Sequence, residues 1–144
     1  LTCALCHGGS ARLFNQRFPN YNLETGLHEE HNRRELMKDS TDLQLSHEMF
    51  YEDVCYFDKV VSRQVELLNS ENTGVRVDYP DFTSLGVWQA KDAPFLCIEP
   101  WCGSADFDDC SGVFAEKRGI EILAPGAEKT FTYAITAVEH KAKV

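Results

Sequence analysis

The sequence predicts an all-β protein. Short stretches in which apolar and polar residues alternate, as in half-buried strands, are separated by clusters of turn-forming residues. No segment has a sustained helical period. A chain of 144 residues with 43% hydrophobic and 26% charged residues is long enough to bury a core of its own. We therefore expect residues 1–144 to form a single domain.

Alternation in the first half of the chain predicts strands at residues 1–7, ending at His7, at 21–23 and at 43–45. Residues 11–20 are predicted to form a loop. Residues 25–41 are polar and charged, which is typical of a solvated hairpin or a short helix.

In the second half, residues 61–67 and 75–79 alternate on either side of a cluster of turn residues at 69–74, which predicts an antiparallel hairpin. Further strands are predicted at 85–89, 120–122 and 131–137.

The stretch Phe95-Leu96-Cys97-Ile98-Glu99-Pro100-Trp101 sets one carboxylate inside an apolar run. In a strand, successive side chains point to opposite faces, so Cys97, Glu99 and Trp101 share one face with Phe95, and Leu96, Ile98 and Pro100 share the other. A carboxylate among aromatic side chains and a thiol is partly desolvated, an environment in which a glutamate can serve as a general base near neutral pH. The alternative is a structural glutamate at a strand end, reaching water or a nearby arginine.

Composition excludes several classes of function. The formal net charge is -9 and there is no basic stripe, so neither nucleic acid nor an anionic membrane is an expected partner. No apolar run approaches the ~18–20 residues of a transmembrane helix, and the N-terminal residues lack the basic flank of a signal peptide. Three of the six cysteines lie in apolar runs, which favours reduced thiols and a cytoplasmic location.

Metal-site patterns are present but incomplete. Cys3-Ala4-Leu5-Cys6-His7 matches the C-x-x-C-H pattern of c-type haem attachment, with Met37 or Met49 as a candidate axial ligand. A zinc site built on the same residues would need a fourth ligand, and no second ligand pair follows. Asp106, Asp108 and Asp109 lack the glycine and glutamate of an EF-hand loop. We therefore predict neither a metal nor a cofactor.

His7 and Glu99 are the candidate acid and base. A histidine and a glutamate on the inner faces of one sheet could act on opposite sides of a small substrate. Neither residue is distinctive alone, because a histidine at a strand end is more often structural or exposed.

A specific motif then points to a family. The segment from Cys97 to Asp106, Cys-Ile-Glu-Pro-Trp followed by Gly-x-x-Asp, resembles one branch of the aldose 1-epimerase (mutarotase) family. The resemblance extends over residues 40–138 and includes 50–53, 62–67, 85–88 and 116–126.

The resemblance implies an antiparallel β-supersandwich and the interconversion of the α and β anomers of a free sugar. By position in the motif, Glu99 is similar to the family's general base and Asp53 to an acidic substrate-binding residue. Trp101 and Asp106 lie where the pocket wall would be. His7 is aligned with the histidine that acts as the general acid in the family, although the proline that often follows that histidine is absent here.

Family members are roughly twice this length, so the resemblance implies an incomplete, C-terminal portion of the supersandwich. We expect such a portion to self-associate or to be completed by a missing N-terminal part, because uncovered sheet edges and apolar faces favour association. The alternative to an enzyme is a non-catalytic carbohydrate-binding domain on the same fold. A phosphorylated sugar would need clustered cations, for which Arg12, Arg17 and Arg63 are candidates.

Overall fold

The computed structural model describes residues 10–12, 17–36 and 42–140, and it confirms the all-β fold class. The strands pair in antiparallel fashion, and no helix in the described part of the chain reaches seven residues. In the described residues, two short 3-10 helices, His47–Phe50 and Phe114–Glu116, interrupt the connections. Within the same residues, no helix combines the length and the apolar character that crossing a membrane requires.

A five-stranded sheet contains the predicted hairpin. Its strands are β1 (Ser10–Arg12), β4 (Asp42–Gln44), β6 (Gln64–Leu68), β7 (Thr73–Asp78) and β10 (Ala134–Glu139). They are arranged in the order β10-β7-β6-β1-β4. The hairpin of β6 and β7 is confirmed, with Val65 opposite Val77 and both side chains buried in the core.

A separate hairpin is formed by β2 (Arg17–Asn22) and β3 (Leu27–Glu35). The turn between them is set by local chemistry. The Asn22 side-chain oxygen accepts hydrogen bonds from the N–H groups of Glu24 and Thr25, at 3.0 and 3.1 Å, and Gly26 adopts a φ of 72°.

This hairpin corrects two expectations. Residues 17–20 of the predicted 11–20 loop belong to β2 of this hairpin, and residues 11–12 belong to β1 of the five-stranded sheet. The interpretation of 25–41 as wholly solvated is wrong at His28, which is only 1% exposed. The charged neighbours of His28 concealed its burial, because one face of a strand can be polar while the other packs on the protein.

A three-stranded sheet, β5 (Cys55–Phe57), β8 (Ser84–Trp88) and β9 (Cys97–Trp101), has two distinct faces. The inner face carries Cys55, Phe57, Leu85 and Val87 into the core, and Leu96 and Ile98 pack against the same cluster. The strand begins at Cys97 rather than at Phe95, and the prediction that Leu96 and Ile98 share one side of this stretch is confirmed. The outer face of this sheet carries the candidate site.

The strand predicted at 120–122 is wrong. Residues 120–122 are not part of a strand, and Ile122 is 72% exposed. The alternation of apolar and polar residues predicted a strand here, but no neighbouring strand of the described residues pairs with it. The last strand also begins later than predicted, at Ala134. Before that strand, Phe131 packs on Phe82 with ring centroids 5.5 Å apart.

Candidate functional site

Three residue positions, one on each strand, define the outer face of the three-stranded sheet. Tyr56 on β5 lies opposite Gly86 on β8, and Gly86 lies opposite Glu99 on β9. Directly opposed residues of antiparallel strands project to the same face. The register therefore places Tyr56 and Glu99 on one face, separated by a residue without a side chain.

Gly86 leaves space that Trp101 and Glu99 fill. A Cβ atom built on Gly86 would lie 3.0 Å from Trp101 Cζ2 and 3.3 Å from Glu99 Oε2. The Trp101 indole also stacks with Tyr56, with ring centroids 5.4 Å apart and 29° between the planes. The hydroxyl of Ser84 donates a 2.9 Å hydrogen bond to the Trp101 carbonyl, which anchors the end of β9. The result is an aromatic surface with a carboxylate beside it.

Glu99 is half-buried in this surface, and Cys97 lies beside it on the same strand. Burial raises the pKa of the Cys97 thiol, and the neighbouring Glu99 carboxylate raises it further. Cys97 is therefore held as a neutral thiol next to the carboxylate. The predicted grouping of Cys97, Glu99 and Trp101 on one face agrees with these contacts.

His28 extends the aromatic surface from β3. Its ring stacks on Tyr56 at a centroid distance of 4.5 Å, and Tyr21 and Phe107 approach it at 5.3 and 5.2 Å. Neither ring nitrogen of His28 has a hydrogen-bond partner among the described residues. A buried polar group without a hydrogen-bond partner lowers the free energy of unfolding by about 1–3 kcal/mol.

The environment of His28 favours the neutral imidazole. Burial lowers the pKa of His28, because a charged imidazolium would lose its hydration. The carboxylates of Asp58 and Asp53 oppose this effect, and Lys117 adds to it.

The main chain of the 106–108 loop fixes His28 in place. The His28 N–H donates to the Asp106 carbonyl at 2.8 Å, and the His28 carbonyl accepts from the Asp108 N–H at 2.9 Å. Further along β3, Arg33 makes two parallel bonds to Asp58, of 2.8 and 2.7 Å. These contacts attach β3 to the loop on one side and to the end of β5 on the other.

Asp53 and Asp106 lie next to this surface but have other partners. Asp53 has a φ of 82° and accepts a 2.6 Å hydrogen bond from the Val54 N–H. The Asp106 carboxylate forms an ion pair with Lys117, with 3.1 Å between Oδ1 and Nζ. Asp106 also lines a pocket of about 280 Å³ within the 105–118 loop.

The structure thus brings together Glu99 and Trp101, with Asp106 close through its main chain and Asp53 close enough to influence His28 electrostatically. His7, the predicted acid, lies outside the described residues. Sequence reasoning missed His28 and Tyr56. The turn-forming residues Asn22 and Gly26 could have predicted that His28 lies near the start of a strand. They could not have predicted that His28 is buried.

No group of three or more metal-ligating side chains occurs among residues 17–36 and 42–140. Cys3, Cys6 and His7 fall outside the described residues. The described cysteines, Cys55, Cys97, Cys102 and Cys110, are free thiols.

Comparison with known proteins supplies relatives but no family. No protein-family model matches the chain, and no solved structure matches it significantly. The chromosomal and plasmid forms of Protein LacX from Lactococcus lactis subsp. lactis are similar to it, each 29% identical over 115 residues. The similarity covers 78% of this chain and 38% of either LacX protein. The chain therefore spans about two fifths of the length of the curated relatives that it matches.

Proposed function

We propose that this chain carries the base-bearing part of an aldose 1-epimerase-like site, which interconverts the α and β anomers of a free sugar. The observation that carries the proposal is the position of Glu99 beside the Trp101 indole, with Tyr56 stacked on that indole. The resemblance of the Cys97-to-Asp106 segment to that family supports the same reaction.

In the proposed reaction, the Glu99 carboxylate takes the proton from the anomeric hydroxyl of the sugar while an acid protonates the ring oxygen. The C1–O5 bond opens, the carbonyl carbon rotates, and the ring recloses on the other face as both protons return. An acid and a base suffice for these steps, so the proposal includes no cofactor. His7 remains the predicted acid.

Trp101, which is partly exposed, would hold the apolar C–H face of the sugar, because aromatic side chains supply large contact areas in ligand sites. Tyr56 is buried and supports the indole from behind. Two of the described cations near this surface are paired: Lys117 with Asp106, and Arg118 with Asp109 at 2.7 Å. Phosphate recognition favours free arginine or lysine side chains. We therefore propose an uncharged aldose as the substrate.

The experiment follows the anomerisation of α-glucose and α-galactose by polarimetry. We expect an acceleration that is proportional to protein concentration, and we expect Glu99→Gln to reduce it by roughly 10²–10⁴-fold, the usual contribution of general acid–base catalysis. Glu71→Gln, in an exposed turn remote from the site, is the matched control and should keep the wild-type rate.

The chain spans 38% of the length of the LacX proteins, so we propose that further segments contribute to full activity and that this chain alone falls short of it. A wild-type rate equal to spontaneous mutarotation would reject catalysis by this chain.

The alternative is a non-catalytic carbohydrate-binding domain. The partly exposed Trp101 indole, stacked on Tyr56, favours it, since an aromatic surface can bind a sugar without any proton transfer. Calorimetric binding of glucose or galactose without any acceleration of anomerisation would select this alternative.

A further inference from the structure

The buried imidazole of His28 has no role in the chemistry proposed above. It is 1% exposed, and both of its ring nitrogens lack a hydrogen-bond partner among the described residues. The other described histidines differ from it. His47 contacts the Gln89 amide, His140 lies 3.0 Å from the Glu66 carboxylate, and His31 is exposed on β3.

The imidazole offers two hydrogen-bonding groups, and either of them could pair with a hydroxyl. A neutral imidazole has one N–H donor and one nitrogen acceptor, and a sugar hydroxyl is also both a donor and an acceptor. Burial lowers the pKa of His28 and so keeps this neutral form at neutral pH, despite the carboxylates of Asp58 and Asp53. Buried polar groups in proteins nearly always have partners, so two unpaired nitrogens in one ring call for an explanation.

The position of His28 links it to the proposed sugar surface. Its ring stacks on Tyr56, and Tyr56 stacks in turn on Trp101. Of the three rings that approach His28, Tyr56 and Phe107 are buried, whereas Tyr21 is partly exposed. A ligand would therefore approach the imidazole from the side of Tyr21, with that ring turned aside.

We infer that His28 is a ligand-binding residue of this site, and that its imidazole hydrogen-bonds a hydroxyl group of the bound sugar. The inference rests on the proposed function for the identity of the ligand. It requires only that a sugar bind to the surface, not that the sugar be anomerised.

The test uses the full chain labelled with ¹⁵N and long-range ¹H–¹⁵N NMR spectra of the imidazole rings during titration with glucose or galactose. We expect the ring signals of His28 to shift together with the indole N–H of Trp101. The ring signals of His31, His47 and His140 should stay in place. The Glu71→Gln variant, changed in an exposed turn, is the control and should show the same His28 shift as the wild-type chain.

A second measurement separates ligand binding from packing. His28→Phe keeps an aromatic ring in the stack and removes both nitrogens, so we expect the Kd for sugar to rise about tenfold, the effect of losing ~1.4 kcal/mol of binding energy. His31→Phe, on the same strand, is the control and should leave the Kd unchanged. If His28 is only a packing residue, His28→Phe will keep the wild-type Kd.

The outcomes separate the two proposals. If Trp101 shifts with sugar while His28 stays in place, the inference is overturned and the proposed sugar site stands. A shift of both, without anomerisation, supports the inference and overturns catalysis. If neither signal moves at saturating sugar, both proposals are rejected.

Discussion

Trp101 can lie across its own sheet because residue 86 has no side chain. The ideal Cβ position on Gly86 is 3.0 Å from Trp101 Cζ2, which is closer than the ~3.5–4.0 Å optimum for packed carbon atoms. Any larger residue at this position would have to displace the indole or the Glu99 carboxylate. A single glycine on β8 thus determines the shape of a surface whose functional side chains belong to the neighbouring strands.

At the residue scale, Gly86→Ala should disturb the site more than the fold. We expect a loss of about 1–3 kcal/mol in the free energy of unfolding, the usual result of overpacking, together with weaker sugar binding because Trp101 must move. Urea unfolding and a sugar titration followed by tryptophan fluorescence measure the two effects.

The control for this variant is Gly126→Ala. Gly126 lies in an exposed turn with a φ of 79° and has no atom within 4 Å of its ideal Cβ position. This substitution should also lower stability, by about 1–2 kcal/mol of backbone strain, yet leave sugar binding intact. Wild-type sugar affinity in Gly86→Ala would show that the indole is not the binding surface.

At the scale of elements, β3 connects the site to the rest of the protein. It carries His28 near one end and Arg33 further along. The Arg33 guanidinium binds Asp58, just after β5, through two parallel hydrogen bonds. The two side chains are 17% and 7% exposed, so solvent screens the pair only weakly. The hydrogen bond to Asp58 and the charges of Asp58 and Glu30 outweigh burial and raise the pKa of Arg33.

Arg33→Met should therefore be strongly destabilising, because it leaves the Asp58 carboxylate buried without its main partner. We expect a loss of about 3 kcal/mol in the free energy of unfolding, measured by urea denaturation. Arg76→Met is the control. Arg76 pairs with Asp78 on the surface, where the side chains are 37% and 32% exposed, and its loss should cost less than about 1 kcal/mol. Equal losses in the two variants would contradict a structural role for the Arg33–Asp58 pair.

At the scale of the whole molecule, the C-terminal part leaves large apolar side chains uncovered. Phe114, Ile122, Tyr133 and Ile135 are between 58% and 76% exposed. Ile135 lies on β10, which is the end strand of the five-stranded sheet as described. Exposed apolar residues on an edge strand are a typical association surface.

We predict that this chain self-associates through the exposed edge of β10, which carries Ile135. Sedimentation velocity should show an average mass that rises with concentration, and Ile135→Ser should shift the distribution toward the monomer. Val61→Ser, which removes an even more exposed apolar residue between β5 and β6, is the control and should have little effect. A wild-type chain that stays monomeric at every concentration would refute this prediction.

The sequence alone was sufficient to predict those features that depend on the alternation of apolar and polar residues and on turn-forming residues. The two sides of the 96–101 stretch follow from alternation. Leu96, just before β9, and Ile98 on it reach the core, while Cys97, Glu99 and Trp101 point the other way. The hairpin of β6 and β7 follows from two alternating runs around a turn cluster. Residues 120–122 mark the limit of this reasoning, because alternation cannot show whether a partner strand is present.

Only the tertiary structure decided the place of His28. In the sequence it lies among charged residues, and nothing local distinguishes it from the exposed His31 on the same strand. Its burial arises from Tyr56, 28 residues away, and Phe107, 79 residues away, which meet it only after β3 packs on β5 and pairs with the 106–108 loop. The periodicity of apolar residues and the preferences of turn-forming residues are set by a few neighbouring residues. The burial of one side chain depends instead on which distant segments cover it.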